Sequence, residues 1–239
     1  MKYKIKLVKK EEVAEGTMAF FYTKPEGFVF KSGQTMDLTL INPAETDAEG
    51  NTRTFSIIQT PLEETLGNAT RMRDTAFKRV LKNMPEGTEL EMEGPFGSFT
   101  LHNDSSKPAV ILAGGIGITP FYSIAKFAAA QKLPHKIYLF YSNRRPEDSA
   151  FLSQLQELQT QNPNFKLVAT MTDMEKSSQK WDGETGYITK EMIAKYVPDL
   201  PSAISYIAGP PSMVAAMRKI LNDAQVNDDN IRTEEFTGY

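Results

Sequence analysis

The 239-residue chain contains no cysteine, only two histidines and a single tryptophan. The absence of cysteine excludes disulfides, thiolate zinc sites, cysteine-ligated iron–sulfur clusters and a cysteine nucleophile from this sequence. The two histidines, His102 and His135, lie far apart in the sequence. A histidine-rich metal site is therefore not predicted, and we assign no metal ligand.

A large excess of one charge is also absent. The chain carries 27 lysine and arginine residues against 30 aspartate and glutamate residues, a net charge of −3. This balance argues against nucleic acid as a partner, because phosphate binding requires basic patches. No run approaches the roughly 18 apolar residues of a membrane helix, and lysines alternate with Tyr3, Ile5 and Leu7 instead of an apolar signal-peptide core. We expect no membrane span and a cytoplasmic location.

The first part of the chain has the rhythm of short strands. Up to about residue 101, runs of alternating apolar and polar residues are separated by glycine and proline turns. This pattern predicts an antiparallel six-stranded β-barrel, with one helix from Thr75 to about Lys82. The alternating runs are Tyr3–Leu7, Thr17–Thr23, Met36–Leu40, Thr52–Ile58 and Glu89–Glu93.

The second part alternates apolar strands with helix-length segments, which predicts a five-stranded parallel sheet with helices on both faces. A polar segment ending in Pro108 separates the two parts, so we expect domains of residues 1–103 and 108–239. The predicted strands are Ala109–Ala113, Lys136–Tyr141, Phe165–Met171, Ala203–Ala208 and Ile231–Phe236, and the predicted helices span 119–131, 147–161, 189–196 and 211–224.

Two unusual turns follow two of these strands. The first is LAGGIGITPF, residues 112–121, and the second is YIAGPPSMVAAM, residues 206–217. Parallel strands end at one edge of a sheet, where exposed backbone N–H groups and a helix N-terminus can bind a pyrophosphate. The alternative is a pair of tight strand-to-helix turns, in which Thr119 caps a helix and Pro120 takes its first position. The glycine spacing is not the usual G-x-G-x-x-G, and both interpretations stay open.

Six motifs in order resemble the ferredoxin–NADP reductase superfamily, in which a flavin-binding barrel precedes a nicotinamide dinucleotide domain. The resemblance covers essentially the whole chain. KSGQTMDLTL resembles the family's P-G-Q strand, RTFSII its R-x-Y-S flavin motif and EGPFGSFTL its G-P-x-G-x-F segment. GGIGITP and AGPP are similar to its two nucleotide loops, and EEFTGY to its C-terminal tail near the flavin.

The resemblance implies that the first domain binds FAD in preference to FMN. Arg53 offers a planar fork for a flavin phosphate. Phe55 lies on the same side of the strand and can stack on the isoalloxazine, and Ser56 is implied near flavin N5, as a catalytic residue. An ordinary barrel strand with a surface arginine is the alternative. The implied flavin contacts are Arg53, Thr54, Phe55, Ser56, Arg71, Met72, Arg73, Thr75 and Ala76.

In three places the chain departs from the family pattern. Arg73-Asp74 precede Thr75 where the family usually has glycine. This difference affects the expected diphosphate contact, and with it the preference for FAD over FMN. Asp74-Thr75 also fits a plain helix N-cap. Phe55 replaces the usual tyrosine, which keeps stacking but loses a hydroxyl. Ala208 stands where many relatives have a cysteine beside the nicotinamide.

The resemblance further implies that the second domain binds NADPH or NADH. Around the adenosine ribose, Ser142, Arg144 and Arg145 would clasp a 2′-phosphate and favour NADPH, although solvated arginines explain them equally well. Phe236, implied to be catalytic, and Tyr239 would form an aromatic lid over the flavin; a core position is the alternative for Phe236. The remaining implied nucleotide contacts are Gly114, Gly115, Gly117, Thr119, Gly209, Pro210 and Pro211.

The resulting expectation is an NAD(P)H-dependent flavoprotein reductase. It would take hydride from NAD(P)H onto FAD and pass electrons to a separate redox protein of the ferredoxin or flavodoxin type, as a stand-alone reductase without an iron–sulfur or globin module. Two alternatives stay open. One is a non-catalytic flavin electron-transfer or regulatory subunit, and the other is direct reduction of a free flavin, a quinone or a ferric chelate.

Overall fold

The computed structural model describes residues 2–236. The strands are β1 (Lys2–Ala14), β2 (Thr17–Thr23), β3 (Thr35–Leu40), β4 (Thr52–Ser56), β5 (Thr65–Arg71), β6 (Glu89–Phe96), β7 (Ala109–Gly114), β8 (Ile137–Asn143), β9 (Phe165–Met171), β10 (Glu184–Thr185), β11 (Ile204–Gly209) and β12 (Ile231–Glu235). The α-helices are α1 (Ala76–Asn83), α2 (Thr119–Ala130), α3 (Leu152–Gln161), α4 (Lys190–Tyr196) and α5 (Pro211–Asp223).

The first sheet is antiparallel, with the strand order β4-β3-β6-β1-β2-β5. The backbone N–H of Ile58, just after β4, donates to the carbonyl of Gly67 in β5 at 2.9 Å, which joins the two ends of the sheet in the manner of a barrel. Alternating residues such as Phe20, Tyr22 and Met36 fill its interior. The predicted six-stranded barrel with one helix is confirmed.

Strand β5 is the one that the alternation of the sequence did not indicate. Its sequence, TLGNATR, is polar, yet five of its seven residues are buried. Asn68 Oδ1 accepts a hydrogen bond from the buried Tyr22 hydroxyl at 2.8 Å, whereas the Asn68 side-chain nitrogen has no partner among the described residues. A buried polar partner of this kind leaves no trace in the hydrophobic pattern.

The second sheet is parallel, with the order β10-β9-β8-β7-β11-β12. The five predicted strands are present, and the two-residue β10 adds a sixth at one edge. The chain moves outward from β7 through β8 and β9, then returns to place β11 on the other side of β7. The two unusual turns therefore lie at a topological switch point, where open α/β sheets bind ligands.

Helices cover both faces of this sheet, as predicted. On one face, α2 and α3 pack Phe121, Ile124 and Leu155 against Ile111 of β7. On the other face, side chains of α4 and α5 pack against the alternate residues of β7 and β11. No helix in the part of the chain that the structure describes is long and apolar enough to cross a membrane.

One buried hydrophobic cluster joins the two sheets. Ala19, Ile58 and Ala69 of the first part belong to the same buried cluster as β7 and α2. The Ser123 hydroxyl of α2 donates to the Gln59 carbonyl at 2.6 Å, and Lys126 pairs with Glu63 at 2.8 Å. Because this core is continuous, the division into residues 1–103 and 108–239 stays a proposal.

Candidate functional site

A cleft of about 720 Å³ lies at the carboxyl edge of the parallel sheet. Its wall includes Gly114 at the end of β7, Gly115 after it, Ser142 near the end of β8, Arg144 after β8, and Pro210 after β11. Arg71 and Arg73 from the barrel line the same cleft. Nucleotide-loop residues and flavin-stretch residues predicted from distant parts of the sequence therefore border one space.

The glycines of the first turn serve different physical purposes. Gly115 has a φ of +50°, a left-handed conformation that favours glycine. A Cβ on Gly117 would lie 2.4 Å from the carbonyl oxygen of Ala208, and one on Gly114 would lie 2.2 Å from the Met213 sulfur. Gly117 is thus needed because the two turns pack on each other through backbone atoms, independently of any ligand, whereas at Gly114 the flexible Met213 side chain can move away.

The predicted N-cap at Thr119 is wrong. A 3₁₀ turn spans Gly115–Ile118 and continues directly into α2, whose first residue is Thr119. The Thr119 hydroxyl donates to the carbonyl of Ile116 at 3.0 Å instead of accepting from a helix N–H. Pro120 is accordingly the second helical residue. The continuous 3₁₀ turn already satisfies the backbone, so no side-chain cap is required.

The second turn fixes the start of α5 with proline. Pro210 occupies the N-cap position and Pro211 is the first helical residue, where a missing N–H costs nothing. The backbone N–H of Phe236 donates to the carbonyl of Gly209 at 3.0 Å, which places the half-buried Phe236 beside this turn. Tyr239, the other predicted lid residue, lies outside the described residues.

The two arginines after β8 have different surroundings. Arg145 donates two hydrogen bonds to the Asp148 carboxylate, from Nε and Nη2, each at 2.9 Å. It also forms an ion pair with Glu15 at 2.9 Å. These bonds lower the pKa of Asp148, chiefly through its hydrogen bonds with Arg145. Arg144 is exposed and lines the cleft, and its guanidinium forms no ion pair within residues 2–236. Of these two arginines, Arg144 is therefore the one whose guanidinium lines the cleft without being paired to a carboxylate of the described residues.

In the barrel, Arg53 and the start of α1 hold a carboxylate. Arg53 Nη2 donates to Asp47 Oδ1 at 3.2 Å, and the backbone N–H of Ala76 donates to Asp47 Oδ2 at 3.1 Å. Thr75 is the N-cap of α1, and its hydroxyl accepts from the N–H of Lys78 at 3.4 Å. Two predicted phosphate ligands, Arg53 and Ala76, thus contact one anionic group, and the third, Thr75, directly precedes Ala76 as the helix cap.

The other residues of the R-T-F-S motif occupy distinct environments. Phe55 is half-buried with its ring centroid 5.9 Å from that of Phe77. The exposed Thr54 hydroxyl donates to the Asp37 carboxylate. Ser56 is buried, and its hydroxyl has no hydrogen-bond partner within the described chain. Of the neighbouring flavin stretch, Met72 packs against the barrel core.

These residues fit a phosphorylated flavin. The Asp47 carboxylate acts as a stand-in anion, which shows that Arg53 and the α1 N-terminus together accommodate a negatively charged oxygen group. The unpartnered Ser56 hydroxyl is the kind of buried group that calls for a further partner. A flavin would be held by Arg53, Thr75 and Ala76 at its phosphate end and by Phe55 at its ring.

Three residues near these positions were not singled out from the sequence. Asp47 lies in a polar loop with no distinguishing pattern. Asn143 lines the cleft, and its buried side-chain nitrogen has no partner among the described residues. Glu234, two residues before Phe236, has a buried carboxylate oxygen that is likewise unpartnered there, and burial raises its pKa. The only available signal for Glu234 was its place in the EEFTGY tail.

The comparisons with known proteins agree with this arrangement. Residues 111–219 match the family described as oxidoreductase NAD-binding domain. The glycine betaine monooxygenase reductase subunit of Chromohalobacter salexigens is 26% identical over 223 residues, which cover 92% of this chain and 60% of the relative. A component of the Na⁺-translocating NADH-quinone reductase of Pseudomonas aeruginosa is 31% identical over 160 residues, covering 65% of this chain and 39% of the relative.

The fold is likewise shared over its full extent. The crystal structure of a ferredoxin NADP⁺ reductase from Neisseria gonorrhoeae with bound FAD and NADP matches with a TM-score of 0.79 at 20% identity, covering 98% of both chains. The chain spans between 39% and 60% of the length of the two curated relatives above. Residues 111–219 thus match an oxidoreductase NAD-binding domain, and the chain shares the fold of this ferredoxin NADP⁺ reductase structure.

Proposed function

We propose that this chain is an NAD(P)H-dependent flavoprotein reductase that takes hydride from NAD(P)H onto FAD. The observation that carries the proposal is the single cleft bordered by Gly115 and Pro210 of the sheet and by Arg71 and Arg73 of the barrel. A nucleotide on the switch-point turns and a flavin on the barrel would share this space. The relatives that are named as parts of reductases support the same class of activity.

The contribution of the protein is orientation and exclusion of water. When bound, FAD supplies the redox chemistry by accepting a hydride from the nicotinamide and releasing electrons. Phe55 would hold the flavin ring, and Ser56 would meet its polar edge. The turns at Gly115 and Pro210 would position the nucleotide, and Arg144 would select the 2′-phosphate of NADPH. No general acid or base is required, because rate enhancement comes from holding the reacting atoms close together.

We propose a separate redox protein of the ferredoxin or flavodoxin type as the electron acceptor. One relative is named as the reductase subunit of a monooxygenase, which supports transfer to another protein component. Another is named as part of a quinone reductase, which supports a quinone as the second candidate. Steady-state reduction of ferredoxin, flavodoxin, a soluble quinone, free flavin and a ferric chelate, compared at equal enzyme concentration, separates these acceptors.

The deciding experiment is a visible spectrum of the purified protein, followed by anaerobic addition of NADPH and, separately, NADH. We expect a flavin absorbance that bleaches within seconds, faster with NADPH than with NADH. A flavin that neither nucleotide bleaches would replace the proposal with a non-catalytic electron-transfer subunit. A protein that binds no flavin at any concentration would overturn both.

A further inference from the structure

The position proposed for the flavin phosphate is already filled by the chain's own carboxylate. The Asp47 carboxylate bridges Arg53 Nη2, at 3.2 Å, and the backbone N–H of Ala76, at 3.1 Å. Ala76 is the first residue of α1, so its N–H has no partner within the helix and carries part of the positive end of the helix dipole. A carboxylate and a phosphate oxygen seek the same donors, and both cannot occupy them together.

The segment that carries Asp47 is fastened mainly by such ion pairs. We call residues 41–51, between β3 and β4, the β3–β4 loop. Glu45 accepts from Arg79 Nε of α1 at 3.0 and 3.2 Å, and Glu49 pairs with Arg53 at 2.8 Å. The side chains of Glu45 and Glu49 are 41% and 73% exposed, respectively. Arg53 Nη1 also donates to the carbonyls of Glu49 and Gly50 at 2.9 and 3.1 Å. Exposed ion pairs contribute little to stability, so the pairs of Glu45 and Glu49 oppose detachment of the loop only weakly, and the contacts of Arg53 are its main attachment.

The surroundings of Asp47 are positively charged, which explains why an anion is needed there. Lys78 lies beside Arg53 and Arg73, and its pKa is lowered first by burial and then by these two guanidinium groups. Burial acts to raise the pKa of Asp47, but hydrogen bonds from the N–H groups of Glu49 and Ala76 and the charge of Arg53 hold it below its usual range. If Asp47 left, another anion would be favoured in its place.

We propose that the β3–β4 loop is an internal competitor of the flavin phosphate, and that Asp47 must leave Arg53 and the α1 N-terminus before a phosphorylated flavin can bind. This inference rests on the proposed function and concerns how its cofactor site is gated. The competition acts on the phosphate and not on the isoalloxazine. It therefore lowers the affinity for FAD and FMN and leaves the affinity for riboflavin unaffected.

The test compares three flavins on the full-length apoprotein by quenching of flavin fluorescence. The variant Asp47→Asn removes the negative charge at almost constant size. We expect its dissociation constants for FAD and FMN to fall by about 10-fold, corresponding to about 1.4 kcal/mol, with no change for riboflavin. Inorganic pyrophosphate should raise the melting temperature of Asp47→Asn more than that of the wild type.

The matched control is Glu45→Gln, in the same loop. It breaks the contact with Arg79 but leaves the Asp47 carboxylate on Arg53 and Ala76, so FAD affinity should change less than about 3-fold, the size expected for one exposed ion pair. A second measurement needs no variant. Hydrogen exchange of residues 41–51 in the wild type should increase on binding FMN and stay constant on binding riboflavin, because only FMN displaces Asp47.

The outcomes separate this inference from the proposed function. If Asp47→Asn binds FAD equally or more weakly, or if FMN protects residues 41–51 from exchange, the competition is refuted while flavin binding stands. If neither the wild type nor any variant binds FAD, FMN or riboflavin, the proposed function itself fails. If Asp47→Asn bound all three flavins more tightly, including riboflavin, the competition would not act at the phosphate, and the inference would be refuted.

Discussion

The helix N-termini that face the predicted cofactor positions differ between the parallel sheet and the barrel in what lies before them. At the parallel sheet, the turns at Gly115 and Pro210 border an open cleft, and Arg144 at its wall forms no ion pair with any described residue. In the barrel, the N-terminus of α1 and Arg53 face Asp47. The local chemistry, a helix dipole with an arginine, is the same in both. A helix N-terminus with an arginine can therefore bind an anion in either place. Whether a carboxylate of the chain already occupies it depends on residues far away in the sequence.

The largest expected effect comes from a substitution that disrupts the packing between the two turns. In Gly117→Ala, the new Cβ would lie 2.4 and 2.6 Å from the carbonyl oxygen and carbon of Ala208, which are backbone atoms and cannot turn away. We expect a loss of about 3 kcal/mol in the free energy of unfolding, in the range for overpacking. We also expect a higher KM for NADPH because the turns shift. Urea denaturation and steady-state kinetics measure the two effects.

The control for this substitution is Gly87→Ala. Gly87 has a φ of +86° and nothing within 4 Å of an added Cβ, so the variant reports backbone strain alone, about 1 kcal/mol. If Gly117→Ala proved no more destabilising than Gly87→Ala, the glycine would serve ligand access instead of packing. Contact between the two turns would then not be what determines the shape of the cleft.

The next effect concerns the two arginines after β8. Arg144→Ala should raise the KM for NADPH by roughly 10-fold to 100-fold, because a charge-assisted hydrogen bond contributes about 1.5–3 kcal/mol. The KM for NADH should stay within about 2-fold, since NADH has no 2′-phosphate. The measurement is the ratio of kcat/KM for the two nucleotides.

Arg145→Ala is the matched control, one position away. Its guanidinium is held by Asp148 and Glu15, so we expect lower stability and an unchanged preference between NADPH and NADH. A loss of NADPH preference in Arg145→Ala but not in Arg144→Ala would reverse the assignment. It would also show that an arginine in ion pairs can exchange a carboxylate for a phosphate, as we infer for Arg53.

The smallest expected effect is a pH dependence of stability that is due to His102, in the segment between the two sheets. His102 contacts the Tyr206 hydroxyl through Nδ1 at 3.0 Å and the Lys107 carbonyl through Nε2 at 3.0 Å, and burial lowers its pKa from 6.5. The unfolded chain therefore takes up this proton first. Stability should be complete above pH 6.5 and should fall as the pH decreases through that value toward the folded-state pKa.

Urea denaturation at several pH values between 5 and 8 tests this expectation. His102→Gln should flatten the dependence in that window, whereas Tyr206→Phe should lower stability at every pH and keep the slope, because it removes a hydroxyl and no titrating group. An unchanged slope in His102→Gln would assign the pH dependence to other groups. Neither substitution touches the cleft, so flavin and nucleotide affinities serve as internal controls.

Much of the fold could be predicted from local patterns. Strand β9 begins and ends at Phe165 and Met171 as predicted, because this short, mainly apolar run is bounded by polar residues on both sides. The resemblance also assigned functional motifs to Gly33 and Phe99, and a Cβ on Gly33 would lie 2.2 Å from the Phe99 carbonyl oxygen. Strand β5 was missed because its sequence is polar, although its Asn68 is buried and accepts a hydrogen bond from Tyr22 of another strand.

The sequence by itself determined the two sheets, the two turns at one edge and the absence of cysteine chemistry, since each depends on residues adjacent in the chain. Which charged groups pair with each other, and which backbone atoms come into contact, depends on the tertiary structure. Glu15 holds Arg145 but not Arg144, Asp47 fills the N-terminus of α1, and Ala208 requires glycine at position 117. These contacts join residues far apart in the sequence. No local pattern encodes them, because the distance between such residues is set by how the two sheets and their loops pack.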